Sequence, residues 1–175
     1  FRVVKTAALL KYFLLSHAIA LGHLSVTFAE ESPRKNPEQV VSELYDSNPW
    51  TGTPVPSSKL AGWFSSNLLA LVKADEEAVA RTGNVCRINH NILWYMQDDN
   101  GIERVEYKVG TMEGDRVPID FRTWFKAGAA PWKTHERRFY LVVKEEKNIW
   151  VVDDIIYYID NPSQKLSLLL QSGPC

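Results

Sequence analysis

The chain has 175 residues, a formal net charge of −1, 45% hydrophobic residues and 23% charged residues. This length is enough for one domain with a hydrophobic core. The near-neutral charge and the lack of a basic run argue against a protein that binds the phosphate backbone of nucleic acids.

The first 29 residues have the order of a secretory signal peptide, which is basic, then apolar, then small. Three basic residues and no acidic one precede a mostly apolar stretch at residues 12–24, and Thr27–Ala29 offers small residues at a cleavage site. We therefore predict a signal peptide over residues 1–29 and a periplasmic or secreted bacterial protein. An uncleaved anchor and a buried helix are the alternatives, although the apolar stretch is shorter than the roughly 20 residues of a membrane span. Cleavage would leave 17 basic and 21 acidic residues, a net charge of −4.

Cys86 and Cys175 are the two cysteines of the chain. In an oxidising compartment they are expected to form a disulfide that closes a loop of about 90 residues. Two unpaired thiols are the alternative, because spacing alone does not show that two sulfur atoms meet.

Residues 30–35 are predicted to be a polar linker, and residues 36–175 a single domain. Asn36 is suited to be the N-cap of a first helix, and Pro37 to be its first residue. The apolar residues of this helix recur at helical spacing. A loop rich in proline and glycine separates it from the next helix.

A second, longer helix is predicted to start with Ser57 or Ser58 as its cap. Its apolar residues form one stripe, but Ser65–Asn67 interrupts it, so two shorter helices are an alternative. Gly83 is expected to be the C-cap. The segment Val85–Gln97 is ambiguous, because its five-residue apolar run fits a strand or a buried turn.

Four strand-like segments and a short helix complete the chain, and this order predicts an α+β fold with N-terminal helices packed on a curved antiparallel four-stranded sheet. The first two strands alternate apolar and polar residues, as a half-solvated sheet does. The last two are apolar on both faces, so the face that the helices leave open needs a terminal segment, a second subunit or a ligand as its cover. Pro118 predicts an edge position or a bulge, since proline donates no ladder hydrogen bond. The predicted elements are strands Ile102–Met112, Arg116–Phe125, Arg138–Lys144 and Ile149–Ile159, and helix Lys165–Gln171.

Four motifs in a fixed order give the chain a family resemblance: Val40–Tyr45, Trp94–Asp98, Val109–Val117 and Asn148–Ile155. The set resembles small exported bacterial proteins with a nuclear-transport-factor-2-like fold, a group that includes the YbjP-type lipoproteins. The resemblance covers about residues 36–170 and implies a cone of helices against a curved, cystatin-like sheet. The resemblance also implies relatives of two kinds. The first are isomerases and dehydratases, which have polar groups in the cone, and the second are non-enzymatic binding proteins. The chain lacks the lipid-attachment cysteine of the lipoproteins, which argues against anchoring.

The sequence predicts no metal and no cofactor. His90 and His135 lack the spacing of a zinc site and are interpreted as ordinary loop histidines. Asp98-Asp99 is followed by Asn-Gly, which is typical of a turn. No glycine-rich phosphate loop and no nucleophile elbow is present.

Asp153 and Asp154 are the strongest candidates for catalysis. Adjacent strand residues point to opposite faces, so one carboxylate must point inward. An inward carboxylate among apolar residues would have a raised pKa and would serve as a general base, with Tyr107 or Tyr157 as hydrogen-bond donor. The alternative is structural: one aspartate pairs with an arginine or caps a backbone group, and the other is solvated.

Aromatic residues provide the candidate binding surface. Trp50, Trp124 and Trp132 lie in or beside proline- and glycine-rich loops, where exposed aromatic side chains mark interfaces, unless they fold over small apolar clusters. Tyr140 and Trp150 lie on the last two strands.

The favoured hypothesis is a non-enzymatic exported binding protein that contacts a protein partner or a second copy of itself, for example as an immunity, inhibitor or envelope accessory protein. The alternative is a small-molecule binder or an isomerase- or dehydratase-type enzyme with a carboxylate in the cone. Neither reading includes a nucleic-acid partner, and the membrane is contacted only through the signal segment.

Overall fold

A computed structural model describes residues 35–88, 90–96, 101–126, 133–157 and 164–172. All of them belong to one compact unit, Arg34–Cys175. The predicted signal peptide lies outside the described residues. Within the described ranges, no helix combines the length and hydrophobicity that a membrane crossing requires. The elements are α1 (Pro37–Ser47), α2 (Ser57–Leu60), α3 (Ser66–Thr82), β1 (Ile102–Val109), β2 (Arg116–Phe125), β3 (Lys133–Glu146), β4 (Ile149–Ile156) and α4 (Leu166–Gln171).

The predicted α+β class and the four-stranded antiparallel sheet are confirmed. The strands pair in sequence order, β1-β2-β3-β4. One face of the sheet, here called the inner face, joins the helices in a single hydrophobic core. Its fully buried members include Ile119, Phe139, Leu141 and Ile155 of the sheet and Leu44 of α1.

The first helix begins as the sequence predicts. Asn36 accepts the Gln39 N–H at 2.8 Å, and the Gln39 side chain accepts the Asn36 N–H at 3.0 Å, which is a complete capping box. This reciprocal pair satisfies two backbone donors that a helix start otherwise leaves to solvent.

The predicted second helix is two helices, α2 and α3, and the alternative of two shorter helices is therefore confirmed. The predicted serine cap is wrong, because the N-cap of α2 is Pro56, which has no side-chain acceptor. Glu76 of α3 accepts the Ser57 N–H instead, at 2.7 Å. Ser65 caps α3 through the Leu68 N–H at 3.2 Å, and the predicted C-cap Gly83 has a left-handed φ of 70°.

The ambiguous segment contains a buried turn at residues 92–94, and no strand occurs in its described part. The backbone of this turn is satisfied by distant side chains. Tyr45 Oη donates to the Leu93 carbonyl at 2.8 Å, and Tyr157 Oη donates to the Ile92 carbonyl at 2.8 Å. Asn91 Oδ1 accepts the Leu93 N–H at 3.0 Å. A buried turn is stable because its polar groups have these partners.

The strand bounds differ from prediction at four places. β1 ends at Val109, three residues early. β3 begins at Lys133, five residues early, and ends at Glu146, two residues late, and β4 ends at Ile156, three residues early. The early end of β1 is explained by Pro118. Its carbonyl accepts the Gly110 N–H at 2.8 Å, but proline has no N–H to donate back to β1. The predicted edge position or bulge is wrong, because β2 is an inner strand with regular pairing there. Pro118 ends the β1–β2 ladder instead.

The last two strands are covered on both faces over part of their length, as predicted. Tyr140, Val151 and Ile156, which are on the side away from the helices, are 9%, 3% and 4% exposed within the single chain. The free edge of β4 is also occupied, by Phe64 in a parallel bridge and by Lys165 in an antiparallel one. This side of β3 and β4 therefore needs no second subunit as its cover.

The predicted disulfide falls partly outside the described residues. Cys86 is half-buried in the segment that follows α3 and is not a free thiol. Cys175 lies beyond the last described residue, so its pairing with Cys86 stays a prediction.

Candidate functional site

Asp154 is a structural side chain. It is buried, and its Oδ1 accepts the N–H of Ser167 at 3.0 Å and of Ile155 at 2.9 Å. Its Oδ2 accepts the Ser167 hydroxyl at 2.6 Å. Ser167 is in the first turn of α4, whose N-cap Lys165 has no side-chain cap. Asp154 thus serves as the cap of α4 from a distance of thirteen residues.

Asp153 lies at a bulge, because Val142 pairs with Asp154 while the next residue, Val143, pairs with Val152. Its carboxylate is one-third exposed and lies 2.7 Å from Lys144 Nζ. Partial burial is the largest influence and raises the pKa of Asp153, but hydrogen bonds from Lys144 and Ser65 together with the positive charge of Lys144 lower the pKa overall. Asp154 thus caps a backbone group, as the structural alternative predicts. Asp153, which that alternative predicts to be solvated, is instead paired with Lys144 and one-third exposed.

The two tyrosines proposed as donors also have backbone partners. Tyr157 is buried and donates to the Ile92 carbonyl, and burial raises its pKa well above the usual 10. Tyr107 donates to the Ser42 carbonyl at 3.2 Å and makes a short hydrogen bond to Asp46. Burial and the Asp46 carboxylate raise the pKa of Tyr107 to about 12.

Aromatic rings pack against one another between the helices and the inner face. Tyr45 contacts Trp94 edge-on with ring centroids 5.1 Å apart, and Phe121 and Phe139 are 4.8 Å apart. Phe139 in turn meets Tyr157 at 5.4 Å. These contacts are core packing of the ordinary aromatic kind. Neither the Asp153 carboxylate nor the Asp154 carboxylate faces this interior.

The opposite side of β1, β2 and β3, here called the outer sheet face, is charged. Its residues pair in rows across the three strands: Arg104 with Trp124 and Thr134, Glu106 with Arg122 and Glu136, and Lys108 with Asp120 and Arg138. Arg138 binds Asp120 through two nitrogens at 2.6 and 2.9 Å. The Arg138 guanidinium lowers the pKa of Asp120 despite partial burial. Both groups are about half exposed, so the pair contributes little to stability.

Trp124 is the aromatic residue of this face. It is partly exposed, and two guanidinium groups lie over its ring, Arg104 at 4.9 Å and Arg122 at 5.8 Å from the centroid. The arginines also bind Glu106 and Glu136 of the next row. Cation–π contacts of this kind hold a ring in place on a surface.

The other candidate binding residues are placed differently. Trp132 lies outside the described residues. Trp50 and Trp150 are half-buried and pack against the core, and Tyr140 is 9% exposed. Tyr140 is on the same side of β3 as Arg138 but lies three rows from Trp124, so none of these three residues is beside Trp124.

The structure also contains a pocket that was not predicted from the sequence. This pocket, here called the α3 pocket, has a volume of about 470 Å³. It is lined by Pro54, Val55, Val72, Asp75, Glu76, Val79, Ala80, Val85, Ile88, His90, Ile92 and Leu170. None of these residues is in a strand, so the pocket is separate from the space between helices and sheet.

His90 and His135 are the histidines among the described residues, and both pack against aromatic rings. His90 contacts Tyr95 and Tyr157 edge-on with ring centroids 4.3 and 5.4 Å away, and burial lowers its pKa to about 4. The interpretation of His135 as a loop residue is wrong, because it is in β3, where it packs on Phe125. Across the described ranges, no group of three histidine, cysteine or acidic side chains is arranged to hold a metal ion.

Comparison of the chain with protein-family models and with curated proteins finds no match to either. The resemblance to exported proteins with a nuclear-transport-factor-2-like fold therefore stays a prediction from four short motifs.

Proposed function

We propose that this chain is an exported, non-enzymatic binding protein that acts through protein–protein interaction, with the outer sheet face around Trp124 as its contact surface. The observation that carries the proposal is the partly exposed Trp124 ring with the guanidinium groups of Arg104 and Arg122 over it. Tryptophan and arginine are the residue types that most often dominate the binding energy of protein interfaces.

The arrangement of Trp124 also favours binding energetically. Two guanidinium groups already orient the Trp124 ring, so the Trp124 side chain loses less conformational entropy when a partner binds. The strand that carries Trp124, β2, is an inner strand of the sheet and is hydrogen-bonded to a neighbouring strand on both sides. A preorganised aromatic on a rigid element is the kind of anchor that tight interfaces use.

The chemistry of the face indicates the partner. An apolar or aromatic side chain would cover Trp124, and carboxylates would approach the exposed sides of Arg104 and Arg122. A second copy of this chain in a two-fold contact would bring the same two arginines to the interface, which opposes self-association. We therefore favour a different protein with an acidic rim and an apolar centre, of which an exported enzyme held by an inhibitor is one concrete form.

An isomerase- or dehydratase-type enzyme has weaker support. Its candidate base would be Asp153 or Asp154, and each of these carboxylates has a structural partner. The hydroxyls of Tyr107 and Tyr157 donate to backbone carbonyls. The proposed catalytic groups are thus bonded to the protein's own chain, and they do not converge on one cavity.

Affinity capture with matched variants tests the proposal. The mature chain is immobilised and exposed to the exported fraction of its own organism, beside Trp124→Ala and the control Leu168→Ala. Leu168 is 47% exposed and is in α4, away from the outer sheet face, so this control also removes exposed apolar surface. We expect a protein that the chain and the control retain, that Trp124→Ala loses, and that salt weakens. Equal retention by all three would contradict the proposal.

Export has its own test. Cleavage after Ala29 predicts a mature chain that begins at Glu30 and is found outside the cytoplasm. Mass spectrometry of the intact protein from each cell fraction measures this. A cytoplasmic chain that keeps its first 29 residues would contradict export without bearing on the outer sheet face.

A further inference from the structure

The α3 pocket has the composition of a ligand site, and it is independent of the proposed interface. Nine of its twelve lining residues are alanine, valine, isoleucine, leucine or proline, and the other three are Asp75, Glu76 and His90. One of the nine, Val85, is 67% exposed, which few large apolar side chains of the described residues are. A volume of about 470 Å³ is within the range of pockets for small molecules, roughly 300–1,000 Å³.

The charges at the pocket are unequal. Asp75 is compensated, because it accepts the Arg87 N–H at 3.1 Å and lies 3.6 Å from Arg87 Nη1. Glu76 is bound by neutral donors, since its two oxygens accept the N–H and the hydroxyl of Ser57. Those partners orient the Glu76 carboxylate but leave its negative charge in place.

The third ionisable group adds no positive charge near neutral pH. The lowered pKa of His90, about 4, keeps its ring neutral there. The pocket therefore combines apolar walls with one uncompensated carboxylate. A negative head group would be repelled by Glu76, and a positive one would be attracted to it.

We propose that the α3 pocket binds a small apolar molecule that carries a protonated amine. The apolar body lies against Val72, Val79 and Leu170, and the ammonium group is directed toward Glu76. No residue of the outer sheet face contributes to this site, so the proposed ligand and the proposed protein partner can be refuted independently.

Three straight-chain probes that differ only in the head group test the ligand class. Decylamine, decanol and decanoate are titrated into the mature chain by isothermal calorimetry at neutral pH and low salt. We expect decylamine to bind at least about fivefold more tightly than decanol, and decanoate to bind more weakly than both. Burial of the alkyl chain should give a negative heat-capacity change.

Substitutions on α3 locate the site. Ala80 lines the pocket and is exposed, so Ala80→Phe fills the space without disturbing the core. Ala74 is equally exposed, is not part of the lining, and lies on the other side of the helix at 100° per residue, so Ala74→Phe is the matched control. Decylamine affinity should fall at least tenfold in Ala80→Phe and stay unchanged in Ala74→Phe.

Glu76→Gln tests the charge separately from the shape. Glutamine keeps an acceptor for Ser57, so decanol affinity should be unchanged while the preference for decylamine disappears. The proposal is overturned if none of the probes binds, if decanol or decanoate binds as tightly as decylamine, if Ala80→Phe binds like the unmodified chain, or if Glu76→Gln keeps the preference.

Discussion

Replacing Asp154 by alanine is expected to destabilise the protein by about 3 kcal/mol. The substitution leaves the Ser167 N–H and the Ile155 N–H without their acceptor in a buried position. Each unsatisfied buried donor costs about 1–3 kcal/mol, and loss of a helix cap typically about 1 kcal/mol. Water reaches part of the vacated site, which is why the lower half of the summed range is expected.

Asparagine at the same position separates geometry from charge. Its Oδ1 accepts both N–H groups as the carboxylate does, and its amide can donate to the Ser167 hydroxyl. Asp154→Asn should therefore cost less than about 1 kcal/mol. Asp153→Ala is the neighbouring control, which breaks a partly exposed ion pair with Lys144 and should cost about 0.5 kcal/mol.

Equilibrium unfolding in urea measures all three variants. With a slope of about 2 kcal/mol per M, Asp154→Ala should lower the midpoint by about 1.5 M, and the other two by less than about 0.5 M. Amide exchange at Ser167 should accelerate in Asp154→Ala only. If asparagine is as harmful as alanine, the carboxylate acts through its charge and the capping argument is refuted.

Three further perturbations have definite signs. Gly110→Ala should destabilise by about 2 kcal/mol in urea unfolding, because its Cβ would lie 2.8 Å from Pro118 Cγ, and an unchanged midpoint would show that the hairpin can shift. Lys147→Gly should stabilise by about 1 kcal/mol, because Lys147 and Asn148 both have positive φ values, 52° and 67°, in the β3–β4 turn, and a loss would refute the strain. The pKa of His90 in the folded chain is about 4, below its usual 6.5, so the unfolded chain takes up the proton first as pH falls. The free energy of unfolding should therefore fall by about 2 kcal/mol between pH 6.5 and pH 4, and His90→Gln should remove this fall. An unchanged pH profile in the variant would assign the acid sensitivity to another group.

Elements with local signals could be predicted from the sequence. The Asn36 cap with Pro37 fixes the start of α1, and β2 has the predicted bounds because apolar and polar residues alternate between two turns. The first five residues of β3 gave no such signal. They are exposed on both faces, so their polar composition is that of a loop although they pair fully with β2.

The sites depended on tertiary contacts that no local pattern contains. The capping role of Asp154 requires Ser167, thirteen residues later, and the buried turn at residues 92–94 requires hydroxyls from Tyr45 and Tyr157. The α3 pocket is assembled from four separate stretches of chain. Its one sequence signal was Val85, an apolar residue just after the helix stop at Gly83.

Site-specific photocrosslinking from the outer sheet face tests the proposed function most directly. A photoreactive amino acid replaces Thr134, which is exposed and pairs with Trp124 in the sheet register, and in a control it replaces Ala74 on α3. Irradiation of living cells should give one discrete adduct with a different protein from position 134 and none from position 74. Adducts of equal yield from both positions, an adduct with a second copy of this chain, or no adduct from position 134 would contradict a protein partner bound at Trp124.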